Sequence, residues 1–129
     1  MGMNVLIVDD SSLTRKAIRR IIDVLDLDTE HILEAGDGAK ALGILGQTRV
    51  DLVLADLNMP VMDGIEMIYH MRGSDDTRHI PVVIVSTESS QTRLEKLLSD
   101  NVKDYLHKPF KPEDFKKVIE NAIGAKSND

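Results

Sequence analysis

Val50-Asp51-Leu52-Val53-Leu54-Ala55-Asp56-Leu57-Asn58-Met59-Pro60-Val61-Met62-Asp63-Gly64 places a carboxylate, Asp56, at the end of an apolar run. Leu52 to Ala55 form a short continuous apolar segment, the pattern of a central strand in a parallel sheet that is covered on both faces. Asp56 then falls at the strand's carboxyl end, where the loops of an open α/β sheet form the ligand crevice. Pro60 and Asp63-Gly64 are turn signals, so a loop leads from this strand into the next helix. An aspartate in such a turn is ordinary by itself. What decides its meaning is whether other strands end in chemical partners.

Upstream, Val5-Leu6-Ile7-Val8 is a β-branched apolar run that stops at Asp9-Asp10. Ser11 or Ser12 caps a predicted helix with Leu13, Ala17, Ile18, Ile21, Ile22 and Leu25 on its apolar face, and with Arg15, Lys16, Arg19 and Arg20 on a solvated face. His31 to Ala35 predicts an edge strand. Gly36-Asp37-Gly38 is a turn, and Ala39, Ala41, Leu42 and Leu45 mark a second helix ended by Gly46. Downstream, Ile65, Ile68, Tyr69 and Met71 mark a third helix that stops near Gly73. Pro81 to Val85 is a second fully apolar strand, and it ends at Ser86-Thr87. Leu94, Leu97 and Leu98 support a fourth helix, and Asp104 to His107 a fifth strand that runs into Lys108-Pro109-Phe110. Pro112, Glu113 and Asp114 open a last helix as the helix dipole favours, with Phe115, Val118, Ile119, Ala122 and Ile123 inward and Gly124 closing it.

Strands alternating with helices predict an α/β fold: a flavodoxin-like, doubly wound five-stranded parallel sheet of order 2-1-3-4-5 with five helices. That order sets strands one, three and four side by side, so Asp9-Asp10, Asp56 and Ser86 meet at one edge. At 129 residues and 42% hydrophobic content the chain is expected to form a single domain over residues 1–129. A formal charge of −6 argues against a sequence-independent nucleic-acid partner. The absence of cysteine excludes disulfides and thiolate metal sites. The apolar run from Ile80 to Val85 is far short of the roughly 20 residues of a membrane helix, and no signal-peptide pattern precedes Asn4. A cytoplasmic protein without a membrane partner is expected. The four histidines, His31, His70, His79 and His107, show no paired metal-ligand spacing.

Three converging carboxylates repel one another unless a hard cation neutralises them. Mg²⁺ is the expected cofactor, because it takes one or two carboxylates, keeps waters and shares its remaining sites with phosphate oxygens. Asp9, Asp10 and Asp56 are the candidate ligands, and the backbone carbonyl of Asn58 can add an oxygen. A carboxylate held beside Mg²⁺ can attack a phosphoryl group to give an aspartyl phosphate. Charge on the equatorial oxygens then calls for donors on the far side, which Lys108 and Ser86 are placed to supply. An Asp-Asp turn, a Ser-Thr cap or a Lys-Pro turn is unremarkable alone; their joint placement at strand ends points to a phosphoryl acceptor.

With these residues the chain resembles the receiver domains of bacterial two-component response regulators, most closely the stand-alone chemotaxis type, from Asn4 to about Ala125. The matching residues are Asp9-Asp10 after Val-Leu-Ile-Val, Asp56 in Asp-Leu-Asn-Met-Pro, Asp63-Gly64, Ser86 after Val-Ile-Val, and Lys108-Pro109-Phe110. The resemblance implies that Asp9 and Asp10 hold Mg²⁺ and that Asp56 is phosphorylated by a histidine kinase or phosphotransfer protein. It also implies that Ser86 and Lys108 bind the phosphoryl group and that Tyr105 is the aromatic switch residue. The first helix would then dock the phosphoryl donor, and the face of helix four, strand five and helix five would meet a downstream target protein. Such a chain is a signalling phosphoacceptor with self-phosphorylation and self-dephosphorylation activity rather than an enzyme acting on other substrates. Only Lys126 to Asp129 follow the last helix as read, so no output domain is expected. The chain departs from the family pattern at Thr87, where a small residue is common, and at Asn101-Val102, where Gly-Ala is common.

Two other readings compete. A Mg²⁺-dependent phosphoaspartate hydrolase would carry a second acid two residues after the nucleophile, where this chain has Asn58. A flavodoxin-like carrier would follow strand one with a hydroxyl-rich phosphate loop and supply aromatic rings, but here the loop is Asp-Asp-Ser-Ser and there is no tryptophan.

Overall fold

β1 (Met3–Val8), β2 (Thr29–Ala35), β3 (Leu52–Ala55), β4 (Val82–Ser86) and β5 (Val102–His107) pair in parallel in the order β2-β1-β3-β4-β5. This is a computed structural model, and it describes residues 2–88, 91–98 and 102–127. The strands alternate with α1 (Ser12–Val24), α2 (Gly38–Leu45), α3 (Gly64–Arg72), α4 (Gln91–Leu98) and α5 (Pro112–Ser127). The order and the element count among the described residues are those the sequence predicts.

Successive residues on a strand face opposite sides, so an apolar strand feeds two cores at once. Leu6, Val8, Val53, Ala55, Val82 and Ile84 turn to one side and pack with Ala41, Leu45, Met67, Ile68, Met71, Leu94 and Leu97 of α2, α3 and α4. Val5, Ile7, Leu52, Leu54, Val83 and Val85 turn to the other and pack with Ile18 and Ile22 of α1 and Phe115, Ile119 and Ala122 of α5. Phe110 stacks on Phe115 at a centroid distance of 5.6 Å, which ties the segment after β5 to the second core. Side-chain oxygens of Ser11, Asp37 and Asp63 accept the backbone N–H of Thr14, Lys40 and Glu66, so α1, α2 and α3 each begin on a satisfied cap.

The helices differ from the sequence reading at Leu13, Ala17, Arg15 and Gly124. Leu13 is 76% exposed and Ala17 is also exposed; at 100° per residue they lie about 140° and 100° from Ile18, outside the buried stripe. Tyr69 is 71% exposed, because the inward stripe of α3 runs through Gly64, Met67, Ile68 and Met71. Arg15 does not stand on a solvated face: it precedes Ile22 by one heptad, which brings it within about 20° of that buried residue. Gly124 does not end α5, which continues to Ser127. Asn101, half of the Asn101-Val102 departure, lies outside the described residues, whereas Val102 is buried as the first residue of β5.

The loop between β3 and α3 is held from both ends by glycines. A Cβ at Gly64 would run into the carbonyl oxygen of Asp56, and one at Gly38 would lie 2.8 Å from the carbonyl oxygen of Met62. Gly64 N–H also donates to Leu57 O at 3.0 Å and Gly38 N–H to Met62 O at 2.9 Å. Between these anchors Val61 adopts φ 67° while 83% exposed. A β-branched residue in the left-handed region costs roughly 1–2 kcal/mol, and an exposed side chain returns little by burial. Val61→Asn is therefore expected to stabilise the fold by about 1 kcal/mol, read as a higher urea midpoint at unchanged slope; a lower midpoint refutes the strain.

Candidate functional site

Sheet register brings the strand-end acids together. Val8 pairs with Ala55, so the next residues, Asp9 and Asp56, emerge side by side from β1 and β3. Asp9 N–H donates to Ala35 O at 3.0 Å and Asp56 N–H to Val8 O at 2.9 Å, which continues the ladder one residue past each strand. Asp9 and Asp56 are buried and Asp10 is exposed. One carboxylate oxygen from each of the three lies within 4.8 Å of the others.

Lys108 reaches this cluster from the end of β5. Its Nζ donates to Asp9 Oδ2 at 2.7 Å and to Asp56 Oδ2 at 3.2 Å. The remaining oxygens of these two acids are also engaged, Asp9 Oδ1 by Ser11 N–H at 2.9 Å and Asp56 Oδ1 by Asn58 N–H at 3.2 Å. Burial alone lowers the Lys108 pKa, but hydrogen bonds and charge from Asp9 and Asp56 outweigh it, and the net shift is upward.

Ser86 is fully buried at the end of β4, where its Oγ accepts Glu88 N–H at 3.2 Å. Its carbonyl accepts Lys108 N–H at 2.9 Å. The Tyr105 hydroxyl shares its one proton between the carbonyl of Glu88 and that same Ser86 carbonyl, which lies 3.2 Å away. Tyr105 is held above its ordinary pKa by burial first, then by the charges of Glu88 and Asp56. Asn58 and Thr87 are exposed at the mouth of the site. The structure thus gathers Asp9, Asp10, Asp56, Ser86 and Lys108 at the carboxyl ends of β1, β3, β4 and β5, and the Tyr105 hydroxyl reaches the end of β4 from within β5.

The donor set is oxygen only, from three carboxylates, which fits a hard divalent cation such as Mg²⁺ and not a thiolate-seeking or imidazole-seeking metal. One residue here is absent from the sequence reading of the site, and another has a further task. Gly64, a turn signal and part of the family match, is also required by packing, because the Asp56 carbonyl leaves room for a hydrogen and no more. Arg15 donates from Nη1 to the Asp9 carbonyl at 2.6 Å, and its heptad relation to Ile22 is the signal that could have found it.

The response regulator receiver domain model matches residues 5–120. A chemotaxis protein CheY homolog of Campylobacter jejuni is 32% identical over 128 residues, which is 98% of this chain and 97% of that protein. The sensor histidine kinase TmoS of Ectopseudomonas mendocina is 38% identical over 122 residues, 95% of this chain, and the match spans 12% of the kinase's length. Among solved structures, the receiver domain of sensor histidine kinase PA1611 from Pseudomonas aeruginosa superposes with a TM-score of 0.82 at 26% identity, covering 96% of this chain and 99% of that one. That structure has a magnesium ion coordinated in its active site cleft.

The raised pKa values of Lys108 and Tyr105 set an alkaline limit. The folded chain holds both protons more tightly than the unfolded chain, so their contribution is complete below the ordinary values of 10.5 and 10.0 and is lost as pH rises through the folded values. The urea midpoint is expected to fall as the pH rises above about 10, and to fall less in Lys108→Met and Tyr105→Phe. An equal fall in both variants refutes the assignment.

Proposed function

Because the chain belongs to the response regulator receiver domain family, we propose that it accepts a phosphoryl group on Asp56 and signals by phosphorylation-dependent protein contact. One observation supports this reading above the rest: three carboxylates lie within 4.8 Å of one another, with an ammonium 3.2 Å from the central one. The donor is a phosphohistidine of a histidine kinase or phosphotransfer protein. An Asp56 carboxylate oxygen forms the new bond to phosphorus, the P–N bond breaks, and the departing imidazole nitrogen keeps the electron pair and takes a proton from water.

Asp9, Asp10 and Asp56, with the Asn58 carbonyl, would hold Mg²⁺. Bound there, the cation neutralises the carboxylates and the incoming phosphate oxygens. Lys108 gives up its bond to Asp56 Oδ2 and donates to a phosphoryl oxygen instead, and the Ser86 hydroxyl donates to a second one. Burial of Asp9 and Asp56 keeps water from solvating the acids, so charge placed at Asp56 acts strongly on Ser86 and Lys108.

Readout follows from Tyr105. Its hydroxyl is bonded to the carbonyls of Ser86 and Glu88, so a Ser86 drawn toward Asp56 moves both acceptors. The ring then has two packing arrangements whose balance depends on the charge at Asp56. The face of α4, β5 and α5 carries this difference to a downstream target protein.

Incubation with acetyl phosphate and Mg²⁺ should raise the intact mass by one phosphoryl group, with no adduct in Asp56→Asn or in excess chelator. Unchanged labelling in either case overturns the assignment of nucleophile or cation.

In amide NMR, a beryllofluoride mimic with Mg²⁺ should move Tyr105 and the segment from Glu88 to Leu97 as well as the residues around Asp56. Ser86→Ala should blunt those distant shifts more than it lowers phosphorylation yield. Shifts confined to the neighbours of Asp56 exclude the coupling.

A further inference from the structure

Two of the three clustered carboxylates flank a single peptide unit, Asp9-Asp10, and that unit is gripped from behind. Arg15 Nη1 donates to the Asp9 carbonyl at 2.6 Å while its Nε donates to Glu34 Oε1 at 2.8 Å. Glu34 stands on β2 and also receives Arg19 Nη1 at 3.2 Å, and Arg19 in turn donates to Ile32 O at 2.9 Å. The guanidinium of Arg15 therefore bridges the end of β1 to the neighbouring edge strand, and its rigid fork serves both acceptors at once.

We infer that Arg15 is a positioning residue for the cation site, acting through the Asp9-Asp10 peptide. A peptide is planar, so fixing the Asp9 carbonyl also fixes the Asp10 N–H on the opposite edge and the direction in which Asp10 leaves. Asp9 N–H is held by Ala35 O at 3.0 Å and Asp9 Oδ1 by Ser11 N–H at 2.9 Å. The first bond holds the peptide before Asp9 and the second the peptide after Asp10, which leaves the Asp9-Asp10 plane between them to Arg15. Asp10 is the exposed member of the cluster. Its approach to Asp9 and Asp56 is opposed by like charge, so its place depends on the backbone it hangs from.

The inference rests on the Mg²⁺ reading of the acidic cluster, and it has a sign that distinguishes it from a charge effect. Arg15 is a cation near a cation site. By Coulomb's law alone its removal should tighten Mg²⁺ binding, whereas loss of positioning should weaken it. A role confined to fold stability lowers the urea midpoint and leaves the dissociation constant of the folded protein where it was.

Mg²⁺ titrations followed by the amide shifts of Asp10, Asp56 and Asn58 read this directly, with no phosphoryl donor present. Arg15→Ala should raise the dissociation constant about tenfold, the lower end of what lost support behind a metal ligand costs. Arg15→Lys, which keeps the charge and loses the fork, should also weaken binding, whereas Glu34→Gln, which keeps an acceptor for Nε, should change it least. Unchanged or tighter binding in a folded Arg15→Ala overturns the positioning role alone, while a native chain whose amides do not respond to Mg²⁺ overturns the cation reading and this inference together. If Arg15→Ala does not fold, Glu34→Ala decides by comparison with Glu34→Gln, which loses the same charge: weaker binding than in Glu34→Gln supports the role, and equal binding in the two sinks it.

Discussion

Bringing Asp9, Asp10 and Asp56 within 4.8 Å of one another is the costly step in this architecture. For the buried pair, Asp9 and Asp56, the repulsion is on the order of 3 kcal/mol at an effective dielectric of about 20, and the exposed Asp10 adds less because water screens it. The sheet imposes the proximity through the Val8–Ala55 register, and the Lys108 ammonium answers it with contacts of 2.7 and 3.2 Å. That ammonium arrives from β5, two strands away from β3 in the sheet. A cation delivered from so far along the chain makes the electrostatics of the crevice depend on the whole sheet being formed.

Support for the acids is arranged on both flanks of the sheet. On the β2 side, the Arg15–Glu34–Arg19 group holds the backbone of Asp9 and covers the Ile32 carbonyl of the edge strand. On the other side, Gly64 lets the first turn of α3 rest against the Asp56 carbonyl, and the preceding residue, Asp63, caps that helix through Glu66 N–H. The Asp-Gly pair thus has two separate tasks. One starts α3, and the other sets how closely it approaches the end of β3.

Most of the fold was legible because fully apolar strands bounded by acids and hydroxyls are hard to read as anything else. Leu52–Ala55 was readable to the residue, and the strand order followed from alternation with helices. Helix faces were less legible. A hydrophobic residue beside the buried stripe looks like one within it, so Leu13 and Ala17 read as part of the apolar face of α1, and the residues that mark α3 in the sequence include the exposed Tyr69 and omit the buried Met67. Arg15 shows the reverse problem, since a charged side chain on a helix reads as solvated until the acceptors facing it are known. Those acceptors, a backbone carbonyl and a glutamate on a strand read only weakly from sequence, carry no pattern that periodicity can detect. Gly64 was visible as a turn residue, but its closeness to Asp56 depends on where α3 lands, which only the packed structure fixes.

Ser86 is the junction at which the site meets the rest of β5. Its carbonyl takes both the Lys108 N–H at 2.9 Å and the Tyr105 hydroxyl at 3.2 Å, which uses both acceptor positions of one oxygen. Its side chain receives Glu88 N–H, so the first residues after β4 are held by the same serine. In a close-packed interior a buried residue cannot shift without its bonded neighbours shifting or breaking away. A displacement of Ser86 must therefore be shared among Lys108, Tyr105 and Glu88, and two of these three belong to β5 or to the residue that follows it. The edge of the sheet farthest from Arg15 therefore carries most of the bonds that a displacement of Ser86 would disturb.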